Sequence, residues 1–249
     1  MRGKNIIMNF THAYEEESFL CSSYFQWIDC THLHGVDCYC DSDGVKQLNK
    51  IIEDFSPEGI HWIDSGNYHY LTKFWTDKIK EPFSLIVFDH HPDMQPPLFD
   101  NLLSCGCWVR TMLDTNPWLR NVCLIGASEK LKSETKGYGK RLLFYSEQTL
   151  RHVDSWRLFS GFYLNEPVYI SVDKDVLSPD YATTNWDQGS LTLFELKRLL
   201  SIILQNERVI GVDICGEAPV VMNSFINKLT AEKKNERTNE ELFALLAET

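Results

Sequence analysis

Three side chains of types that bind metal ions alternate directly after an apolar segment of the chain. The segment Ser84–Phe88 runs into Asp89, His91 and Asp93. In an extended chain, residues two apart face the same side, so these three side chains can converge on one point. A set that is rich in carboxylates and contains one imidazole suits manganese, magnesium or iron better than a structural zinc ion, which prefers thiolate and imidazole. The spacing therefore predicts a metal site, and the alternative is a solvated turn after a strand.

A second segment has the same design. A short run of β-branched and aromatic residues, Pro167–Val172, is followed by Asp173 and Asp175, which share one face at the carboxyl end of a predicted strand. Like charges at this separation repel each other, and a native protein rarely buries them unless a cation is present. The two segments supply five ligands between them, about the number that a site with two metal ions needs. We therefore predict a binuclear site, with an exposed strand end as the alternative.

Both aspartate segments resemble signature motifs of the ureohydrolase family, which includes arginases, agmatinases and formiminoglutamases. The family's Asp-Ala-His-x-Asp and Ser-x-Asp-x-Asp motifs match Asp89–Asp93 and Ser171–Asp175. Three further family segments, a His box, a Gly-Gly-Leu-Thr segment and a final strand ending in Asp-Ile-x-Glu-x-x-Pro, are similar to Ser65–Tyr70, Gly189–Thr192 and Val212–Pro219. The order of the motifs is kept from about residue 59 to residue 219.

The resemblance implies a set of metal ligands and a reaction. One manganese ion would be held by His69, Asp89, Asp93 and Asp173, and the other by Asp89, His91, Asp173 and Asp175. Asp89 and Asp173 would bridge the ions, for which iron, zinc and cobalt are alternatives. Hydroxide between the two ions would attack the guanidinium carbon of the substrate, and the products would be an amine and urea, with Asp93 as the proton carrier.

The substrate side of the site departs from the family pattern. Where arginases carry a histidine that helps to bind free arginine, the stretch Leu103–Val109 has serine and glycine but no histidine. Glu217 is assigned a catalytic role and could accept the guanidinium in a bidentate pair. Its spacing to Pro219 is two rather than three, and an offset of one residue on a strand turns a side chain to the other face. The candidate substrate-binding residues are His12, Ser104, Asn185 and Glu217.

These departures resemble a branch of arginase-like proteins that includes peptide arginases, which convert arginine residues within a peptide to ornithine. The expected partner is thus a small guanidino compound or an arginine-containing peptide. Three rival functions remain: a single-zinc deacetylase of the same fold, a manganese phosphoesterase of the type named for its Asp-His-His triplet, and a metal-binding homologue that has lost activity. Metal content and urea release distinguish them.

Composition agrees with one catalytic domain over residues 1–249, because 43% of the residues are apolar and 12% are aromatic. The net charge of −11 argues against nucleic-acid binding and is compatible with a cationic substrate. No stretch approaches the ~20 apolar residues of a membrane helix, and the amino terminus lacks a signal peptide, so a cytoplasmic location without membrane association is expected. The eight cysteines are expected to be free thiols. The oligomeric state is open, with a homo-oligomer as one alternative.

Strand and helix patterns alternate along the chain. Continuous apolar strands flanked by helices predict an α/β fold with a parallel sheet covered on both faces and ligand sites at the carboxyl ends of its strands. The resemblance specifies the three-layer α/β/α fold of arginases and deacetylases. The predicted strands are Asn5–Phe10, Gly59–Ile63, Ser84–Phe88, Asn121–Ile125, Arg141–Tyr145, Val168–Val172 and Arg208–Val212. The predicted helices are Ser42–Asp54, Tyr70–Lys80, Asn101–Leu113, Ser146–Val153, Leu193–Leu204 and Asn239–Ala247.

Overall fold

A computed structural model describes residues 3–15, 17–21, 23–98, 102–152, 165–218 and 225–247. Its strands β1 to β10 are Lys4–Asn9, Phe25–Asp29, Tyr39–Cys40, Gly59–Trp62, Phe83–Phe88, Leu103–Ser104, Leu119–Ile125, Leu142–Tyr145, Val168–Asp173 and Val209–Cys215. Its α-helices α1 to α6 are Ser42–Ile51, Leu71–Thr76, Trp108–Thr115, Glu147–His152, Leu193–Asn206 and Phe225–Ala247. All seven predicted strands are therefore present within the described residues.

A parallel sheet of eight of these strands organises the fold, in the order β2-β1-β4-β10-β9-β5-β7-β8. Every pair of neighbours in this sheet is parallel. All residues of the central strands β5 and β9 are buried, as their apolar sequences require when helices cover both faces of a sheet. Because the strands are parallel, their carboxyl ends lie along one edge, where ligand sites of such folds form.

Helices pack on both faces of the sheet and complete the three-layer α/β/α arrangement. Helices α1, α2 and α3 contribute Leu48, Trp75 and Trp108 to the apolar core on one face. Helices α5 and α6 contribute residues such as Leu200 and Leu242 to the core on the other. The predicted fold class is thus confirmed.

Helix α5 begins where the sequence places a capping box. The hydroxyl of Thr192 accepts a hydrogen bond from the backbone N–H of Glu195 at 3.2 Å, and the Glu195 carboxylate accepts the backbone N–H of Thr192 at 2.8 Å. Two amide groups at the helix start are satisfied in this way, which fixes where the helix begins. The segment Gly189–Thr192 therefore connects the loop after β9 to a well-defined helix.

The predicted start of the third helix is wrong. We expected a helix over Asn101–Leu113, but Leu103–Ser104 instead pairs antiparallel with Tyr39–Cys40, and the helix begins at Trp108. A strand of two residues is too short to show any alternation in sequence, so only the contact with a distant segment defines it. Asn101 itself lies outside the described residues.

Two further elements were missed or shortened in the sequence prediction. Strand β2, Phe25–Asp29, lies at one end of the order of strands and is only partly buried, so its apolar pattern is weak. The last helix was predicted from Asn239 but begins at Phe225. Its buried face includes the polar residues Asn235, Thr238 and Asn239, so the apolar periodicity in the sequence is weak. None of the described helices combines the length and the apolar character that crossing a bilayer requires.

A buried polar network ties α6 to the segment that follows β9. Lys174 forms an ion pair with Glu217 and donates a hydrogen bond to Asn239 Oδ1 at 2.8 Å. The Asn239 amide donates to Glu217 Oε1 at 2.7 Å and to both carboxylate oxygens of Glu17 at 2.9 Å. Asn235 Nδ2 donates to Glu217 Oε2 at 2.7 Å. Buried charges are tolerated only with such partners, so the network fixes how α6 packs.

We expect Glu17 to make the stability of the protein depend on pH. Burial and the nearby Glu217 carboxylate raise the pKa of Glu17 to about 9 from 4.5. The folded protein therefore keeps a proton that the unfolded chain releases, and this contribution to the free energy of unfolding is complete below about pH 4.5 and lost as the pH rises through about 9. Glu17→Gln should remove that dependence, so denaturant unfolding at about pH 5 and about pH 9 should show a smaller loss of stability in the variant than in the wild type.

A matched control is Glu240→Gln, which changes an exposed carboxylate on α6. This control should keep the wild-type dependence of stability on pH. Parallel stability profiles of Glu17→Gln and the wild type would contradict the assignment of a retained proton to Glu17.

Candidate metal centre

Neighbouring strands bring the two aspartate segments together. Strands β5 and β9 pair in parallel with Phe88 opposite Val172, so the residues that follow, Asp89 and Asp173, leave the sheet side by side. His69 arrives from the turn after β4, which lies on the same edge. Gly66 in that turn makes close approach possible, because a Cβ there would lie 2.8 Å from Asp173 Oδ2. The predicted convergence is therefore seen in the fold.

The first group of candidate ligands surrounds the buried imidazole of His69. Its Nδ1 atom lies 3.0 Å from Asp89 Oδ2, 3.1 Å from Asp93 Oδ2 and 3.7 Å from Asp173 Oδ2. Burial alone would lower the pKa of His69, but the carboxylates of Asp89 and Asp93 raise it well above its usual value. Three oxygens and one nitrogen thus point at a common volume.

The second group lies on the other side of Asp89. His91 Nδ1 is 2.8 Å from Asp175 Oδ2 and 3.7 Å from Asp89 Oδ1. Asp89 therefore directs Oδ2 towards His69 and Oδ1 towards His91. This division of its two oxygens is the geometry of a carboxylate shared between two sites. The ligand atoms within each group, His69 with Asp89 and Asp93 and Asp89 with His91 and Asp175, lie within 4.8 Å of one another.

The electrostatics of these residues fit a pair of divalent cations. Burial, together with the carboxylates of Asp175 and Asp89, raises the pKa of Asp173 to about 7. Burial and Asp89 raise the pKa of Asp175 to about 6. Several carboxylates held this close inside a protein repel each other unless positive charge separates them. Oxygen ligands with imidazole nitrogen suit Mn²⁺ or Fe²⁺, so the donor set agrees with the predicted metals.

Cys215 contacts the site and was missed in the sequence. It ends β10 directly opposite Asp173 on β9, and its thiol donates a hydrogen bond to Asp173 Oδ2 at 3.2 Å. Burial raises the pKa of this thiol well above its usual value, so it donates as a neutral group. The alternation of Asp213 and Cys215 along β10 was the available signal. The seven cysteines whose side chains are described are free thiols.

Three residues hold the candidate ligands in position. Ser171 Oγ lies 2.8 Å from His69 Nε2 and 2.9 Å from Thr72 Oγ1. With the Nε2 hydrogen donated to Ser171, the Nδ1 lone pair of His69 faces the carboxylates, as a metal ligand requires. Trp108 Nε1 donates to Asp93 Oδ2 at 2.6 Å. Only Ser171 had a sequence signal, because it opens the Ser-x-Asp-x-Asp motif.

The candidate ligands form the floor of a cavity of 330 Å³. Ser104, a predicted substrate contact, lies in its wall. The small sheet of β3 and β6 forms part of that wall, so the strand pairing that the sequence did not reveal shapes the cavity. Other residues of the wall are Cys38, Tyr39, Gln95, Cys105, Leu131, Glu134 and Trp186.

Glu217 lies outside this cavity lining. Both of its carboxylate oxygens accept hydrogen bonds within the network of Lys174, Asn235 and Asn239. The glutamate of the family motif, three residues after the strand aspartate, corresponds to Gly216. This glycine has φ +90°, and a Cβ there would lie 2.5 Å from Asp173 Oδ1. The offset of one residue thus turns the glutamate towards α6, where Lys174 neutralises it.

Two other predicted substrate contacts also lie outside the cavity lining. His12 is exposed, and its Nδ1 is 2.6 Å from Glu15 Oε1. Asn185 is exposed, and its amide donates to Asn67 Oδ1 at 2.7 Å. The neighbouring Trp186 reaches the cavity instead and donates from Nε1 to the same oxygen at 2.9 Å.

Comparison with known proteins agrees with this geometry. The model of the arginase family matches residues 59–233, which include every candidate ligand. The chain belongs to the arginase family. The resemblance to ureohydrolases that the two aspartate motifs indicated is therefore confirmed, and the arginase-family fold accounts for the position of both motifs at the carboxyl edge of the sheet.

Individual relatives extend over most of the chain. An uncharacterised protein of Thermotoga maritima is 31% identical over 211 residues, which are 85% of this chain and 78% of that protein. The N(1)-aminopropylagmatine ureohydrolase of Thermococcus kodakarensis is 25% identical over 70% of this arginase-family chain, which spans 59% of that relative's length. The crystal structure of arginase from Bacillus subtilis has a TM-score of 0.68 and 15% identity and covers 98% of both chains, so it shows a shared fold.

We expect Ser171→Ala to weaken metal binding without unfolding the protein. The substitution removes the partner of His69 Nε2, so the imidazole loses its fixed orientation, and such changes lower metal affinity by about 10- to 100-fold. Titration of the metal-free protein with Mn²⁺ against a competing chelator measures the effect. Ser84→Ala, which changes a buried serine at the start of β5, is the control and should bind Mn²⁺ like the wild type. Equal affinities of Ser171→Ala and the wild type for Mn²⁺ would contradict the role of Ser171 in positioning His69.

Proposed function

We propose that this arginase-family hydrolase uses two divalent metal ions, with manganese as the first choice, to cleave a C–N bond of a guanidino compound and release urea. The observation that carries the proposal is the division of Asp89 between His69 and His91, which creates two adjacent groups of three ligands. One shared carboxylate between two such groups is the arrangement that two-metal hydrolases need.

The described residues supply a set of candidate ligands for each proposed ion. His69, Asp89 and Asp93 would hold one ion, Asp89, His91 and Asp175 would hold the other, and Asp173 stands beside both groups. A pair of dications lowers the pKa of the water that it activates towards neutrality and so supplies the nucleophile for hydrolysis. The protein contributes the fixed orientation of its ligands through Ser171 and Trp108.

The cavity supports a planar cation as the substrate. No lysine or arginine is among the described residues that line it, so no described cationic side chain would repel a guanidinium. Trp108 and His69 both contact Oδ2 of Asp93, so Oδ1 is the oxygen that we assign to carrying a proton to the departing amine. The guanidinium would lie over the floor of the cavity, oriented by the surrounding carboxylate oxygens.

Free arginine is not the compound that this site fits best. The wall lacks a described cation that could pair with an α-carboxylate, so the substrate is either a guanidino compound without that group or an arginine within a peptide. The Thermococcus kodakarensis relative is named for a guanidino polyamine, which supports the first of these classes. Both classes remain part of the proposal.

Urea release with Mn²⁺ tests the proposal directly. Purified protein loaded with Mn²⁺ should release urea from at least one of arginine, agmatine, 4-guanidinobutyrate and arginine-containing peptides. Asp89→Asn should abolish release and lower the metal content, because it removes the ligand that both groups share. Asp187→Asn changes an exposed aspartate near the cavity and should behave like the wild type.

Metal analysis separates the proposal from its rivals. Two manganese ions per chain support it. One zinc ion per chain with release of acetate from an acetylated amine would favour the single-zinc deacetylase, and phosphate release would favour the phosphoesterase. A protein that binds two ions but yields no urea from any of these substrates would contradict the proposed reaction.

A further inference from the structure

Beyond the candidate ligands, the cavity wall carries one charged side chain within the described residues, that of Glu134. Glu134 lies in the 3₁₀-helical segment Glu129–Thr135, which follows β7. Its carboxylate is partly buried and makes no hydrogen bond or ion pair with the described part of the chain. A carboxylate that is partly removed from water and lacks a partner favours a cation beside it.

Glu134 faces the same space as the metal centre. Burial raises the pKa of Glu134, whereas the His91 ring is near enough to lower it. Leu131 is the other described residue of this segment that lines the cavity, and it adds an apolar surface. Leu131 and the Glu134 carboxylate thus both lie in the wall of the cavity whose floor the candidate ligands form.

Two exposed aromatic rings also line the cavity. Trp186 is 40% exposed and Tyr39 is 45% exposed, although both are large side chains that a protein commonly buries. The Trp186 indole is held by its hydrogen bond to Asn67 and by an edge contact with His91, whose ring centroid is 5.8 Å away. Fixed aromatic faces bind alkyl chains, and they attract ammonium groups through the quadrupole of the ring.

We propose that Glu134, together with Trp186, binds an ammonium group at the far end of the substrate. The site would then select linear guanidinoalkylamines, which carry a second positive charge, over guanidino compounds that end in a neutral or a carboxylate group. The inference rests on the proposed function and deepens it, because it names the substrate class and a residue that determines specificity.

The experiment compares three compounds in which a chain of four carbon atoms is attached to a guanidino group, so that they differ in the group at the far end. Agmatine ends in ammonium, 1-butylguanidine ends in a methyl group, and 4-guanidinobutyrate ends in a carboxylate. The wild type should show a kcat/KM about two- to fivefold higher for agmatine than for 1-butylguanidine, the gain of one partly exposed ion pair, and the lowest value for 4-guanidinobutyrate. Glu134→Gln should bring the ratio of the kcat/KM for agmatine to that for 1-butylguanidine close to one, chiefly by lowering the value for agmatine.

Glu129→Gln is the matched control. Glu129 lies in the same segment but pairs with Lys132 at 2.9 Å and does not line the cavity. This variant should keep the wild-type ratio. Circular dichroism and Mn²⁺ content establish that both variants are folded and loaded, so a change in the ratio reports on the carboxylate and not on damage to the site.

Calorimetric binding of the same three compounds separates this inference from the proposed reaction. If the wild type releases no urea from any of them, nor from arginine or arginine-containing peptides, the proposed reaction is wrong, and the order of binding affinities then tests the ammonium site alone. A wild type that treats all three compounds alike, or a Glu134→Gln variant that keeps the preference for agmatine, overturns the inference.

Discussion

The repulsion between carboxylates that are held out of water is the constraint on which this structure depends. Asp89, Asp93, Asp173 and Asp175 are all buried where two parallel strands end. Such a cluster can stay ionised only if positive charge lies among the oxygens. Desolvation destabilises the ionised form of each carboxylate, and repulsion from the neighbouring carboxylates destabilises it further. A pair of dications would supply that charge, with the neutral imidazoles of His69 and His91 as further ligands. The proposed requirement for metal would therefore follow from the way the folded chain gathers its carboxylates.

The same segment that gathers the carboxylates also secures the fold around them. Between Asp173 and Asp175, the side chain of Lys174 points away from the cavity and is buried beside Glu217 and Asn239. The side chains of successive residues thus point to opposite sides of the chain, one towards the cavity and the next towards α6. The C-terminal helix consequently braces the segment that carries two candidate ligands. A change in the helix packing would be felt at the metal centre, although no residue of α6 lines the described cavity.

The sequence revealed the parts of the site that depend on local periodicity. Asp89, His91 and Asp93 could be predicted as ligands because a strand of buried residues positions them at the edge of a parallel sheet. Their arrangement could not, because the chain bends after Phe88 and Asp93 has a φ of +49°, so His91 and Asp93 fall in different ligand groups. The placement of Glu217 could not be predicted, because it depends on a one-residue offset and on the close approach of Gly216 to Asp173. Trp108 and Thr72 were likewise hidden, since each reaches its partner only through the packing of separate elements.

The residues of the cavity wall come from different structural elements than the residues of its floor. The floor residues come from strand ends, whose positions the sheet fixes, so the same chemistry can be retained over large changes of sequence. Glu134 comes from a 3₁₀-helical segment, Trp186 from a loop and Tyr39 from a two-residue strand, and these elements can change without disturbing the large sheet. With Gly216 and Lys174 removing the glutamate of the family motif from the cavity, recognition must come from these wall residues and from the carboxylates of the floor. The choice of substrate consequently depends on the side chains of the cavity wall, whereas the proposed class of reaction depends on the strand register that brings the ligands together.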